Sequence, residues 1–357
     1  MTHRIAILLS LFSSTLTFHI IAGTSSADKD LAPKAIAFSA KELDLTTAIA
    51  EIQAQTGNVI GDRRLTPSAR KLTMPAQPAS FWPTLDALCE QAGVSYSVYQ
   101  PDGGVVLVDG PYRNLRVDTS GLFRFALKRI SVTRDDETKS RFANVTLETM
   151  WEPRLKPLYL NVEGGAIVVG KTTEKLERQS VRGVAGSGAA EVELRMAAPD
   201  RAVAKIDSLK GTLRVIAIPQ MLEFRFAKPA VKQTSTKEGV IVSIVGVKQL
   251  PTRWTIDVLI EYPKGAIVPL ESFQSWMDNN RVWLAWASPT LKKSYTLEPL
   301  GEEPLASETG MRFRYEFTPR SGVLLPAAAD DYALKMTMPN RVIAITVPFA
   351  FQDLPLP

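Results

Sequence analysis

GGAIVVGKT, residues 164–172, is the stretch on which the fold turns. From Gly165 to Thr172 it satisfies G-x-x-x-x-G-K-[ST], the phosphate-loop pattern of an α/β nucleotide-binding protein. VVLVD at 105–109 even imitates a strand ending in a magnesium-binding carboxylate. The backbone chemistry of the same letters says otherwise. A phosphate loop curls successive amides around an anion, but the four loop positions here are Ala166, Ile167, Val168 and Val169. The last three are β-branched and favour extended chain. The VVLVD carboxylate also precedes the motif, whereas a phosphate-loop fold places it after. The stretch therefore reads as a strand closed by a Gly-Lys turn, although KTTEKLERQ at 171–179 has the composition of a short helix. Neither nucleotide nor any other cofactor is expected.

Outward from there the chain reads mainly as β. LFRFALKRISVTR (122–134) and ANVTLETMWEP (143–153) flank the charged turn DDETKSR. EVELRM (191–196) alternates apolar and charged residues. In RWTIDVLIEY (253–262), Trp254, Ile256, Val258, Ile260 and Tyr262 share one face, while Arg253, Thr255, Asp257 and Glu261 share the other. Such alternation marks antiparallel strands with one face on a core. Further strands are expected at 213–218, 240–247, 281–287, 311–317 and 341–349. Their spacing suggests two immunoglobulin-like β-sandwich domains, 111–228 and 229–357, with AKPAVKQTSTKEG (227–239) as the seam.

The segment before residue 110 differs. TAIAEIQAQTGNVI (47–60) echoes TLDALCEQAGVSYS (84–97): with Gly57 laid on Gly93, Ile49 matches Leu85, Ile52 matches Leu88 and Gln55 matches Gln91. Each half predicts an amphipathic helix, a glycine just past its end and a short strand, with Thr46 and Ser80 as N-caps. AIAFS (35–39) and KLTMP (71–75) are extended pieces before the helices, and SYSVYQ with GVVLVDG forms a closing hairpin. LDLTTAIAEIQAQTGNVI, KLTMPAQPASFWPTLDALCEQAGVSYSV and GGVVLVDG together resemble the short N-terminal domain of secretins and TonB-dependent receptors. That resemblance implies a small α+β domain at 28–110 that contacts proteins of the cell envelope. It implies no catalytic residue. No membrane-barrel strands or secretin core follow.

Location and inventory narrow the function. Residues 1–27 have the layout of a secretory signal peptide: Arg4, an apolar run from Ile5 to Phe12, more apolar residues at Phe18 to Ala22, and cleavage after Ala27. Nothing downstream approaches the roughly 20 apolar residues of a membrane helix. Cleavage would remove His3 and His19, the only histidines, which excludes imidazole-dependent catalysis from the mature chain. The single Cys89 cannot form an internal disulfide. The 42 Lys and Arg against 37 Asp and Glu are dispersed, without the clustered cations of a nucleic-acid groove.

The remaining chemical motifs are weak. GVAGSG (183–188) does not fit a dinucleotide loop, and the S-x-x-K at Ser68 to Lys71 has no supporting partners. Asp135, Asp136 and Glu137 lack an EF-hand pattern. The carboxylate pairs Asp257/Glu261 and Glu191/Glu193 share strand faces and read as solvated surface. Trp276, Trp283 and Trp286 remain, and on a strand Trp283 and Trp286 point oppositely. Trp283 is the candidate binding residue. The sequence thus points to a periplasmic or cell-surface, non-enzymatic interaction protein with another envelope protein as partner. Carbohydrate or cell-wall binding is the second reading and a carboxylate-dependent hydrolase the third.

Overall fold

The computed structural model describes residues 31–66, 70–100, 104–181, 187–250, 252–263, 280–289, 292–305, 307, 310–319, 325–326 and 330–357. Among them are 23 strands and two helices, so the protein is mostly β.

The N-terminal unit runs β1 (Glu42–Asp44), α1 (Leu45–Thr56), β2 (Ile60–Asp62), β3 (Lys71–Thr73), α2 (Phe81–Ala92), β4 (Ser95–Ser97) and β5 (Val105–Val108). Helix α1 starts two residues earlier than the Thr46 cap implied. Asp44 is its N-cap and accepts the Thr47 N–H at 2.9 Å. Ser80 does stand at the N-cap of α2, without a side-chain bond. Gly57 and Gly93 take the left-handed conformation, φ +76° and +67°, that ends each helix. The echoed glutamines do one job twice. Gln55 clamps the backbone N–H and C=O of Ala37, and Gln91 clamps those of Thr73, so each helix grips the extended segment before it. The helices bury Ile49, Ile52, Leu85, Leu88 and Trp82 against β1–β3 and the sheet β2-β5-β4.

The middle unit contains β6 (Val117–Ser120), β7 (Phe123–Arg134), β8 (Arg141–Trp151), β9 (Lys156–Val169), β10 (Thr172–Leu176), β11 (Gln179–Val181), β12 (Ala189–Ala197) and β13 (Lys205–Ile218). Sheet β12-β8-β7-β6 packs on sheet β10-β9-β13, with β11 also paired to β9, around Phe125, Leu147, Trp151, Leu160 and Leu213. The third unit contains β14 (Met221–Ala227), β15 (Thr234–Lys237), β16 (Val240–Leu250), β17 (Arg253–Glu261), β18 (Arg281–Ser288), β19 (Lys293–Leu297), β20 (Gly301–Leu305), β21 (Met311–Phe317) and β22 (Asp331–Pro339). Its sheets β14-β22-β18-β19 and β15-β16-β17-β21-β20 enclose a separate core.

Strand pairing departs from the expected division at 228/229. β14 lies before that seam yet pairs along its whole length with β22. The last strand, β23 (Ile343–Pro355), leaves the third unit and pairs with β13 from Ala217↔Ile343 to Lys205↔Pro355. The third unit is thus inserted into the middle one. The two crossing segments meet where Asn340 N–H donates to Gln220 C=O at 3.0 Å. Alternating apolar patterns cannot reveal this, because strand periodicity says which face is buried and not which distant strand is the neighbour.

Candidate functional site

Lys156–Val169 and Thr172–Leu176 form a hairpin whose two-residue loop is Gly170-Lys171. Positive φ (+59°) is confined to Gly170, the pattern of a type II′ turn. The Gly170 N–H that a phosphate would claim donates to Asp207 Oδ2 at 2.6 Å. Gly165 serves sheet packing: a Cβ there would stand 2.2 Å from Lys210 O and 2.7 Å from Gly211 Cα. Thr172 to Leu176 is strand, not helix. Asp109 accepts the Leu65 N–H within the N-terminal unit.

Three of the four candidate carboxylates stand beside cations. Asp257 is buried rather than solvated: Arg314 Nε and Nη2 and Arg312 Nη2 grip it at 2.8, 3.0 and 2.8 Å. Burial pushes its pKa up, but these arginines outweigh that and hold it below the ordinary value. Glu191 pairs with Lys128, and Glu193 stands 3.9 Å from Arg129. No group of three or more His, Cys, Asp or Glu able to hold a metal occurs among the described residues. Trp286 is core, stacked on Tyr295 at 5.2 Å, while Trp283 lies half-buried on the opposite face. Trp276, Ser68, residues 183–186 of GVAGSG and the 1–27 leader lie outside the described residues.

The open sides of the middle sandwich carry a feature that single-strand patterns miss. On one side, Glu174 accepts the Ala197 N–H and Gln179 donates to Glu193 C=O, so side chains of the facing sheet cover the exposed edge of β12. On the other side, Asp118 Oδ2 accepts the Ala350 N–H at 2.7 Å, and Arg116 Nη1 donates to the carbonyls of Gln352 and Asp353 at 3.2 and 2.7 Å. In an antiparallel ladder, alternate residues turn their backbone groups to alternate sides. Because Ala350 points away from β13, so do Pro348, Thr346 and Ala344. Pro348 has no N–H. Thr346 and Ala344 present both backbone groups to the open edge, with no hydrogen-bond partner among the described residues. Beside them runs a groove lined by Leu31, Leu122, Ile343, Ile345 and Val347, with Gly121 at its turn.

No protein-family model matches the chain, and a search of curated proteins finds no match.

The N-terminal unit is fastened to the outer face of sheet β12-β8-β7-β6, opposite the sandwich core. Trp82 Nε1 donates to Leu122 C=O at 3.0 Å, and Met150 and Ala189 join the N-terminal core. Arg124, its side chain 3% exposed, donates from Nε to Asp86 Oδ2 at 2.8 Å, while Tyr96 OH donates to Asp86 Oδ1 at 2.7 Å. Burial works against the Arg124 charge, but Tyr96 and Asp86 prevail and raise its pKa. Burial, then Asp86, pushes the Tyr112 hydroxyl up to about 12. Asn58 Nδ2 donates to the buried Glu152 at 2.8 Å, which also takes Arg154 Nε at 2.7 Å. A cavity lined by Tyr96, Tyr99, Tyr112, Arg124 and Met150 holds about 30 Å³, room for water and little more. The junction is a structural clamp, so the free β23 edge is the stronger candidate for function.

Proposed function

We propose that this chain is an exported, non-enzymatic cell-envelope protein that engages another envelope protein by strand addition at β23. The observation that carries the reading is the unpaired pair Ala344 and Thr346 beside an apolar groove. Main-chain groups there offer hydrogen bonds to an extended segment, and alternate apolar side chains of that segment would enter the groove against Leu122, Ile343 and Ile345. Edges of soluble β proteins are ordinarily blocked. The side-chain covers on β12 and on the far half of β23 make the exposed stretch a selective vacancy.

The N-terminal unit, with its order β1-α1-β2-β3-α2-β4-β5, supports membership in the secretin/TonB short N-terminal type, and we read the two β bodies as immunoglobulin-like sandwiches. In this account both are scaffold: the first is clamped to the sandwich, the third unit is inserted behind it, and the docking strand lies at the return.

The test uses the full chain as bait in envelope extract, with a photocrosslinking residue at Ala344. Capture of a partner crosslinked at this position is expected. Thr346→Pro should abolish it, since it removes an outward N–H without touching the β13 ladder. Capture unaffected by Thr346→Pro, or crosslinks to no protein, overturns the reading.

A further inference from the structure

The bare stretch of β23 reads almost alike in both directions. About Ile345, Ile343 answers Val347 and Ala344 answers Thr346 in the run Ile343-Ala344-Ile345-Thr346-Val347. Ile343, Ile345 and Val347 line the groove, whereas Ala344 and Thr346 are exposed and turn their backbone groups to the open edge. From Val342 to Pro348 no residue carries a charge. Soluble β proteins ordinarily guard an edge with charges or a cover. The opposite edge of the same sheet is guarded in that way, since β10 carries Glu174 and Lys175. Within this sheet, the stretch at 343–347 is therefore an edge without charge and with near symmetry about one residue.

From this we infer that a second copy of this chain pairs with β23 through a two-fold axis at Ile345. The inference rests on the reading of β23 as a docking edge and adds an occupant that competes there with the envelope partner. In this register Ala344 of each copy lies opposite Thr346 of the other, and each such pair exchanges both N–H···O=C bonds. All the outward donors and acceptors of Ala344 and Thr346 are then satisfied. Neighbouring registers do worse. With the axis at Thr346, Ala344 meets Pro348, which has no N–H; with the axis at Ala344, Thr346 meets Val342, outside the strand. With the axis at Ile345, the two Ile345 residues form a non-hydrogen-bonded pair, Cα atoms about 4.5 Å apart, and Ile343 meets Val347 on the groove face. The axis is perpendicular to the sheet, so the two grooves join and no like charges meet. Pairing β23 with β10 of another copy would instead bring Glu174, on the same face as the buried Leu176, against the groove. The ladder is short, so the dimer is weak, with a Kd of about 100 µM, and the edge is bare in dilute solution.

Sedimentation equilibrium of the full chain tests the pairing. Between about 1 µM and about 500 µM the average mass should rise from the monomer value toward twice it. Thr346→Pro removes an outward donor and should hold the mass at the monomer value throughout, with the urea midpoint of the parent. A second measurement needs no proline. Ile345→Cys, treated with diamide as oxidant, should give an interchain disulfide on a non-reducing gel, because the paired Cα atoms lie within disulfide reach. Ala344→Cys, whose counterpart stands diagonally across the axis, should crosslink about tenfold less. Cys89 is buried and contributes no crosslink. A monomer at every concentration, a dimer that survives Thr346→Pro, or Ala344→Cys crosslinking as readily as Ile345→Cys overturns the inference. The two readings of the edge fail separately. Partner capture at Ala344 by a chain that stays monomeric overturns only the second copy, whereas a two-fold dimer that captures no partner supports the second copy and overturns only the envelope partner.

Discussion

Replacing Asp86 by Ala strikes the clamp between the N-terminal unit and the middle sandwich. Asp86 accepts from Arg124 Nε at 2.8 Å and from Tyr96 OH at 2.7 Å. Without it, Arg124 keeps Tyr112 OH at 3.3 Å, Met150 Sδ at 3.8 Å and the Tyr96 ring at 5.9 Å, but no ion-pair partner among the described residues, in a side chain 3% exposed. Stranding one partner of a buried pair costs about 3–5 kcal/mol. The Tyr96 hydroxyl also loses its acceptor, a cost of about 1–3 kcal/mol that partly overlaps the first. Because the Asp86 side chain retains 14% exposure, a total of about 4 kcal/mol is expected. With a urea slope of about 3 kcal/mol/M, the midpoint should fall by about 1.3 M. The assay is urea unfolding followed by circular dichroism and tryptophan fluorescence. The double variant Asp86→Leu with Arg124→Met should recover most of the loss, because apolar replacement of both partners leaves no stranded charge. A loss below about 1 kcal/mol for Asp86→Ala, or no recovery in the double variant, would refute the reasoning.

Three further outcomes are expected. Burial holds the Glu302 carboxyl above the ordinary glutamate value of 4.5, and its Oε1 has no hydrogen-bond partner, facing the Tyr315 strand position across the ladder. The folded state therefore binds that proton more tightly than the unfolded state. Stability from this group is present below 4.5 and lost as pH rises through the folded value. Glu302→Gln should abolish that decline and raise the neutral-pH urea midpoint, and an unchanged pH profile would contradict the assignment. Burial, with Asp86 adding to it and Arg64 opposing, pushes the Cys89 thiol up to about 12, so a thiol reagent at mildly alkaline pH should label it only in urea. Stoichiometric labelling of the native chain would contradict the packing of α2. Gly165→Ala should cost about 2–3 kcal/mol because it drives a Cβ into the β13 backbone, whereas Lys171→Ala should change stability by less than about 0.5 kcal/mol. A rise in the thermal midpoint on adding ATP, lost in Lys171→Ala, would restore the phosphate-loop reading.

Much of the local structure was legible. Ile167, Val168 and Val169 outweighed the glycines and lysine around them, and the Gln55/Gln91 echo marked two helices that each clamp a preceding extended segment. The errors arose where distant residues decide the outcome. Asp257 sits at a polar position of an alternating strand, and only the partner strand β21, carrying Arg312 and Arg314, turns that position into a buried ion pair. Asp44 capped α1 because the helix began two residues earlier than the Thr46 signal implied. Return of β23 to β13 rests on a pairing across an inserted unit, so neither the insertion nor the free edge at Ala344 and Thr346 leaves a trace in periodicity. Trp283 was legible: the strand period put it on the face opposite Trp286.

The central claim is tested most directly by amide hydrogen exchange along β23, in the isolated chain and in the complex captured through Ala344. In the isolated chain, the Ala344 and Thr346 amides should exchange rapidly while Ile345 and Val347, bonded to β13, stay protected. In the complex, Ala344 and Thr346 should become protected too. Equal protection at all four positions before capture, or no gain at Ala344 and Thr346 after it, would contradict docking at this edge.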